Sequence, residues 1–355
     1  MFVLDSHCDT PSQILRLRDL SKDNEYAHVD FPKLKRGGVD GAFFALYVPA
    51  GLDSDPEAAF EYAAGLLDGV NRTLSSNINL AARAISYEEA MANKEKGLFS
   101  VFLGLENGSP IGNDLDRVRW FHDAGVRYIT LCHSGNNQIC DSCAPPTARW
   151  GGLSPFGREV VKEMNHLGIL VDVSHISDES FYDVLNCSDR PVAATHSCCR
   201  ALAGHPRNMT DDMIRALASA GGVIQINFYP LFIDSSFRNI LAASGIFERG
   251  EVIESEFIAD PADQQKREAW NRIQDELQAL SRPSFRLIAD HIDHVVEIAG
   301  IDHVGIGSDF DGIEVTPSGL EDISMMPVLF DELHNRGYSD ADLAKIAGEN
   351  FFRIL

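Results

Sequence analysis

Near the start of the chain an apolar run beginning Phe2-Val3-Leu4 gives way to His7 and Asp9, two metal-type side chains at i and i+2. Side chains two apart on an extended chain face the same way, so this pair can share one ligand where a strand stops. A lone His-x-Asp is more often a buried histidine with an aspartate in the following turn. Here the pattern recurs, because later apolar runs end on Glu106, His133, His175, His196 and Asp309. Imidazole and carboxylate without thiolate suit zinc or a similar divalent ion. One ion rarely takes more than four or five ligands, so two ions sharing a carboxylate is the economical arrangement. His7 and Asp9 are assigned to one ion, His175 and His196 to the other, and Glu106 to the bridge. Such ions lie ~3.5 to 4 Å apart and hold an activated hydroxide between them. Taken singly, each assignment has a plainer alternative: His175 could be a core histidine bonded to Asp172, and Glu106 could pair with an arginine.

The elements that would position these residues follow from hydrophobic periodicity. Apolar runs of strand length lie at 2–8, 39–48, 98–105, 126–133, 169–175, 191–196, 221–228 and 303–309. Between them, 3.6-residue periodicity with Ser, Thr or Asp at the start and Gly at the end predicts helices. Examples are the segment opening at Asp55-Pro56 and the one from Ser154-Pro155 to His166, with Gly168 just beyond. A short helix is expected around Ile14 to Leu20, then a polar loop to Gly37-Gly38, and two closing helices near 321–336 and 339–354. Residues 134–152 form a loop longer than a strand-to-helix turn requires, which marks it as functional. Eight strands, each followed by helix, predict a (β/α)8 TIM-type barrel rather than an open sheet. Only a closed ring brings six strand ends to one centre. The whole chain, 1–355, is expected to be one domain, with residues 230–283 a helical surface insertion before the eighth strand.

Composition narrows the class of protein. A formal charge of −23 argues against non-specific binding to nucleic acid or anionic membrane. No apolar run approaches the ~20 residues that span a bilayer. The absence of a basic and apolar leader, and seven unevenly spaced cysteines, lead to the expectation of a soluble cytoplasmic protein. Cys140-Asp-Ser-Cys143 is a single C-x-x-C without a second pair or a thioredoxin-like context, and is not expected to bind metal.

The motifs Asp5-Ser-His7-Cys-Asp9-Thr, Glu106-Asn-Gly108, Leu131-Cys-His133-Ser, Gly152-Leu-Ser-Pro-Phe-Gly157, Asp172-Val-Ser-His175, Thr195-His196-Ser, Arg207-Asn208, Asn227-Phe-Tyr229 and Gly307-Ser-Asp309-Phe-Asp-Gly312 resemble, in the same order from end to end, the membrane (renal) dipeptidase family of binuclear zinc peptidases. The resemblance implies a zinc-dependent dipeptidase on a barrel, with His7, Asp9, Glu106, His175 and His196 as ligands of two Zn2+, other divalent ions being admissible. It further implies that His133 helps stabilise the oxyanion, that Asp309 carries the proton, and that Arg207 offers its planar fork to the substrate's free carboxylate. Asp311 competes with Asp309, an arginine beside Asn208 is ordinarily a solvated surface residue, and Tyr229 reads either as a wall of the substrate pocket or as core. The expected partner is a small dipeptide of L,L configuration, with a D-residue at the carboxyl end within reach of the reading; a homodimer is left open. The animal members are secreted, lipid-anchored and disulfide-linked, so a bacterial cytoplasmic member is expected.

Two other readings of these residues are less consistent with the sequence. Other amidohydrolase-type barrels, acting on a cyclic amide or ester, commonly begin with His-x-His and bridge their metals with a modified lysine; this chain has His-x-Asp and no lysine at these strand ends. A non-catalytic metal-binding scaffold would have lost a ligand, and none is missing.

Overall fold

The structure, a computed structural model, describes residues 1–355. Nine strands form in order: β1 Leu4–Cys8, β2 Gly41–Tyr47, β3 Ala81–Arg83, β4 Phe99–Glu106, β5 Val126–Thr130, β6 Leu170–Asp172, β7 Ala193–Ser197, β8 Val223–Ile226 and β9 Val304–Ile306. Eight of them pair in parallel in the order β1-β2-β4-β5-β6-β7-β8-β9. The ring closes beyond β9, where the Asp9 N–H donates to the Phe310 carbonyl (2.9 Å) and the Asp309 N–H to that of His7 (3.0 Å). This is the expected (β/α)8 barrel. The short β3 was not foreseen; it pairs only with β4, outside the ring.

The strands are covered on both faces, so they read as continuous apolar runs rather than alternating ones. β4 is buried at every position. Inside, Leu4, Phe43, Phe102, Tyr128, Leu170, Ala193 and Val223 plug the barrel, and Phe351 and Ile354 from the end of the chain join them. Tyr128 fits because Gly104 lies opposite: a Cβ there would sit 2.1 Å from the tyrosine Cζ. Above this plug the interior turns polar, which gives the site its floor.

Helix boundaries follow local chemistry. Ser154 caps Pro155–Leu167 by accepting from the Gly157 N–H, and Gly168 ends it at φ +78°. The first helix is Thr10–Leu15, earlier than expected, because Pro11 starts it directly after Asp9 and Leu17 at φ +64° stops it. The expected polar loop before Gly37 contains another helix, Phe31–Arg36, opened by Asp30 accepting from the Lys33 N–H. The last expected helix breaks into Asp340–Ala344, a wide turn at 345–349 and Asn350–Phe352. The break falls at Gly348, whose backbone leaves the helical region and whose Cα packs closely on β1: a Cβ there would lie 3.1 Å from the Leu4 Cβ.

Residues 230–283 carry four helices, Pro230–Ile233, Phe237–Ser244, Ile246–Ala259 and Gln264–Gln278. The last three share a small core of their own, with Phe237, Ile246, Phe257, Trp270 and Ile273 buried against Val315. Arg16, the residue that follows the first helix, pairs with Glu254 at 2.8 Å, tying this segment to the rim above the barrel's C-terminal end.

Candidate metal centre

His7 lies in β1 and Asp9 one residue beyond its end, at φ −92° and ψ +24°, no longer extended. The two side chains still converge, with His7 Nε2 3.5 Å from Asp9 Oδ2. Glu106 ends β4 and reaches across with both oxygens. Its Oε2 is 3.4 Å from His7 Nε2, whereas its Oε1 is 3.1 Å from His175 Nε2 and 3.4 Å from His196 Nε2. His196 sits within β7; His175 lies three residues past the end of β6 and is aimed inward by a left-handed backbone at φ +72°. Asn107 and Asp309 adopt the same conformation, φ +76° and +64°, beside the centre. Such positive φ values are uncommon for residues with a Cβ, though Asn, Asp and His adopt them most readily, and they cluster at functional sites.

The donor set fits metal ions better than it fits itself. His7 Nε2 and Asp9 Oδ1 are buried without a hydrogen-bond partner. The Nε2 atoms of His175 and His196 face each other at 2.8 Å. Burial, Arg207 and neighbouring imidazoles hold His175 well below the ordinary histidine range. Burial, then His7 and Arg207, do the same to His196. Two neutral imidazole nitrogens this close to each other and to Glu106 Oε1 form a compact set of donors that a cation could share. Burial opposes charge on His7 as well, but the carboxylates of Glu106 and Asp9 raise it well above the usual value, and burial and Glu106 push Asp9 up to about 6. Buried carboxylates and imidazoles so disturbed are the groups a divalent ion would relieve.

The remaining expected residues ring this cluster. His133 is less enclosed, its Nε2 3.9 Å from Glu106 Oε1, its ring 4.2 Å from that of His175 and edge-on to Tyr47. Burial and Arg207 lower it to about 3, so it is a neutral hydrogen-bonding group. Asp309 groups with His7 and His196. Its Oδ2 accepts from the Asn227 amide at 2.8 Å, and burial pushes its carboxyl up to about 7. Arg207 is not a solvated surface residue: it is buried, donating from Nη2 to the His196 carbonyl at 3.0 Å and from Nη1 to Ser197 Oγ at 3.3 Å. Its Nε is buried without a partner, and its fork pairs with no carboxylate of the chain. Tyr229 lies outside the ligand cluster, packed on Phe232, with its hydroxyl donating to Glu314 at 2.8 Å.

Asp311 and Asp172 have partners elsewhere. Asp311 is held by Arg18 at 2.5 Å, Thr10 Oγ1 at 2.9 Å and the His28 N–H, facing away from the cluster that contains Asp309. Asp172 bonds to Thr130 and Thr195, not to His175. Cys8 points outward, toward the Phe43 carbonyl, as the pleat requires, and Cys140 and Cys143 are free and outside the cluster. Residue spacing did not reveal the groups that support these side chains from behind: Tyr128 on His7 Nδ1 at 2.8 Å, Thr195 on His196 Nδ1 at 2.9 Å and Asn227 on Asp309 Oδ2. Inward parity on β5 was the available signal for Tyr128, being even with Thr130 on the strand.

Comparison with known proteins adds relatives of stated character. A family-wide sequence model described as membrane dipeptidase (peptidase family M19) matches residues 1–355. The chain is 33% identical over 350 residues to Dipeptidase aclJ of Aspergillus oryzae, covering 97% of this chain and 73% of that protein. Among solved structures, the probable dipeptidase PvdM from Pseudomonas aeruginosa superposes with a TM-score of 0.83 at 26% identity, over 100% of this chain and 94% of the other. A metallo peptidase from Rhodobacter sphaeroides, liganded with a phosphinate mimic of the dipeptide L-Ala-D-Ala, superposes at 0.80 with 25% identity, over 100% and 98%.

Proposed function

This chain belongs to the membrane dipeptidase family, peptidase family M19, and from that premise we propose that it is a dipeptidase working with two zinc ions, one held by His7 and Asp9, the other by His175 and His196, with Glu106 shared. Metal-dependent dipeptide hydrolysis is the activity of the family. The count of two rests on one observation: the oxygens of Glu106 divide between the two pairs of ligands, Oε2 toward His7 and Oε1 toward His175 and His196. Bound cations supply Lewis acidity, lowering the pKa of water toward neutrality and polarising the scissile carbonyl.

The chain's own groups do the rest. Arg207, a buried cation without an acid partner, takes the substrate's free carboxylate as its counterion and so orients the peptide bond over the centre. Asp309, steadied by Asn227, takes a proton from the attacking water and delivers it to the amine as the C–N bond breaks. Neutral His133 donates a hydrogen bond to the oxygen on which charge develops. Tyr229 lines the wall beyond, its orientation set by Glu314. The ligand seen in the Rhodobacter sphaeroides relative favours tolerance of a D-residue at the carboxyl end alongside L,L substrates.

The same proposal includes a single domain over residues 1–355 with 230–283 as an insertion, and a cytoplasmic location, supported by seven free cysteines. A charge of −23 supports the absence of nucleic-acid or anionic-membrane partners; no helix is long and apolar enough to cross a membrane. Assembly as a homodimer is testable by light scattering. The deciding experiment is metal analysis of the purified protein together with a panel of L,L and L,D dipeptides. Zinc-dependent hydrolysis of members of the panel supports the proposal; two bound zincs with no hydrolysis across the panel would leave the site standing and overturn the substrate class.

A further inference from the structure

Directly beneath the centre lies a carboxylate that the chemistry above leaves without a task. Asp172, the last residue of β6, is fully buried. Its Oδ2 accepts from the hydroxyls of Thr130 (2.6 Å) and Thr195 (2.7 Å), and its Oδ1 from the backbone N–H groups of Thr195 (2.9 Å) and Ser174 (3.0 Å). Its partners are neutral donors only. A buried carboxylate is costly unless a positive charge lies near, and an asparagine of the same shape could accept from the two N–H groups without that cost. The counter-charge is therefore to be sought outside the chain's own cations.

The hydrogen bonds show where. The Thr195 hydroxyl that donates to Asp172 also lies 2.9 Å from His196 Nδ1. An ionised carboxylate only accepts, so the threonine proton points at Asp172 and the lone pairs of Oγ1 face the imidazole. Nδ1 must then carry the ring proton, which leaves Nε2 bare. That atom is the one aimed at His175 Nε2 (2.8 Å) and Glu106 Oε1 (3.4 Å). His7 is supported differently, through the neutral Tyr128 hydroxyl on its Nδ1.

We propose that Asp172, acting through the Thr195 hydroxyl, is the positioning residue of His196: it fixes the Nδ1–H tautomer and lends negative charge to the cation held by His175 and His196. The inference rests on the two-cation reading. It makes the two halves of the centre unequal, one backed by a carboxylate through a hydroxyl relay and the other by a phenol. Partners behind a ligating histidine typically change metal affinity by about 10- to 100-fold when removed.

The test uses metal-free full-length protein, titrated with zinc against a chromophoric chelator and, separately, with cobalt followed by visible absorption. Thr195→Val keeps the side-chain shape and breaks the relay; Asp172→Asn keeps the shape and removes the charge; Thr195→Ser keeps the hydroxyl. In Thr195→Val and Asp172→Asn one of two zinc equivalents should weaken about 10- to 100-fold, with an altered cobalt spectrum and the other equivalent unchanged, whereas Thr195→Ser should match the parent. Wild-type affinity for both equivalents in a folded Thr195→Val protein, or failure of Thr195→Ser to restore them, overturns the inference while leaving the two-cation reading intact. A parent protein that binds fewer than two equivalents overturns that reading, and this inference with it.

Discussion

Substituting Arg207 by methionine separates substrate recognition from folding. The guanidinium is buried, 5.3 Å from the Phe232 ring centre, and spends its hydrogen bonds on Ser197 and the His196 carbonyl rather than on an acid. Loss of those two bonds costs about 1 kcal/mol each, and removal of an unpaired buried charge offsets much of that. Stability should therefore change by no more than about 2 kcal/mol in denaturant unfolding. The substrate loses more. Two charge-assisted bonds to its carboxylate, at about 1.5 to 3 kcal/mol each, amount to about 3 to 6 kcal/mol, or about 10²- to 10⁴-fold in kcat/KM. Most of this should appear as a raised KM, with some loss of kcat from poorer alignment. The informative assay compares a free-acid dipeptide with its C-terminal amide in both enzymes, closing a thermodynamic cycle. The parent should prefer the acid by about the factor above, and the variant should show almost no preference. A methionine variant that still favours the acid as strongly as the parent would refute the pairing of Arg207 with the substrate carboxylate.

Asp309→Asn should lower kcat by about 10²- to 10⁴-fold with KM little changed, since asparagine tolerates φ +64° and can still accept from Asn227; intact turnover in steady-state assays would move the proton to another group. His291 is buried, accepts from the Cys199 N–H at 3.0 Å, and is lowered from 6.5 to about 4 by burial. Because its folded value is depressed, its contribution to stability is complete above pH ~6.5 and is lost as pH falls toward ~4. Unfolding titrations should show His291→Asn gaining about 3 kcal/mol relative to the parent between pH 7 and 4; parallel curves would rule this out. Gly104→Ala should destabilise by about 1 to 3 kcal/mol in chemical unfolding, because its Cβ would meet Tyr128. Removing metal with chelator should abolish activity and lower the melting temperature, since the centre would be left with buried, mutually repelling donors; a chelated sample as active as the untreated one would contradict metal dependence.

The site was legible where residue type alone carried the chemistry. His7, Asp9, Glu106 and His196 end apolar runs, and in a parallel barrel a strand buried on both faces has little reason to stop on such groups. His175 was singled out for the same reason, and the structure brings it into the cluster although β6 ends at Asp172 and a left-handed turn does the aiming. That turn is a φ value, and nothing in residue spacing reveals it. Hydrogen bonds across the barrel were equally hidden: Thr195 and Tyr128 face His196 and His7 only after distant strands have paired, so the only partner that spacing suggested for Asp172 was its near neighbour His175, in the plainer alternative, and not Thr195. Among the elements, the Phe31–Arg36 helix was missed although Asp30 and Pro32 advertised its start, because six residues show too little periodicity. β3 was missed because three residues at a sheet edge carry almost no pattern.

The most direct test of the shared carboxylate is anomalous diffraction from crystals of the zinc-loaded protein. Two peaks should appear ~3.5 to 4 Å apart, one against His7 and Asp9, the other against His175 and His196, with one Glu106 oxygen turned to each. A single peak, or a second one remote from Glu106, would contradict the two-cation centre.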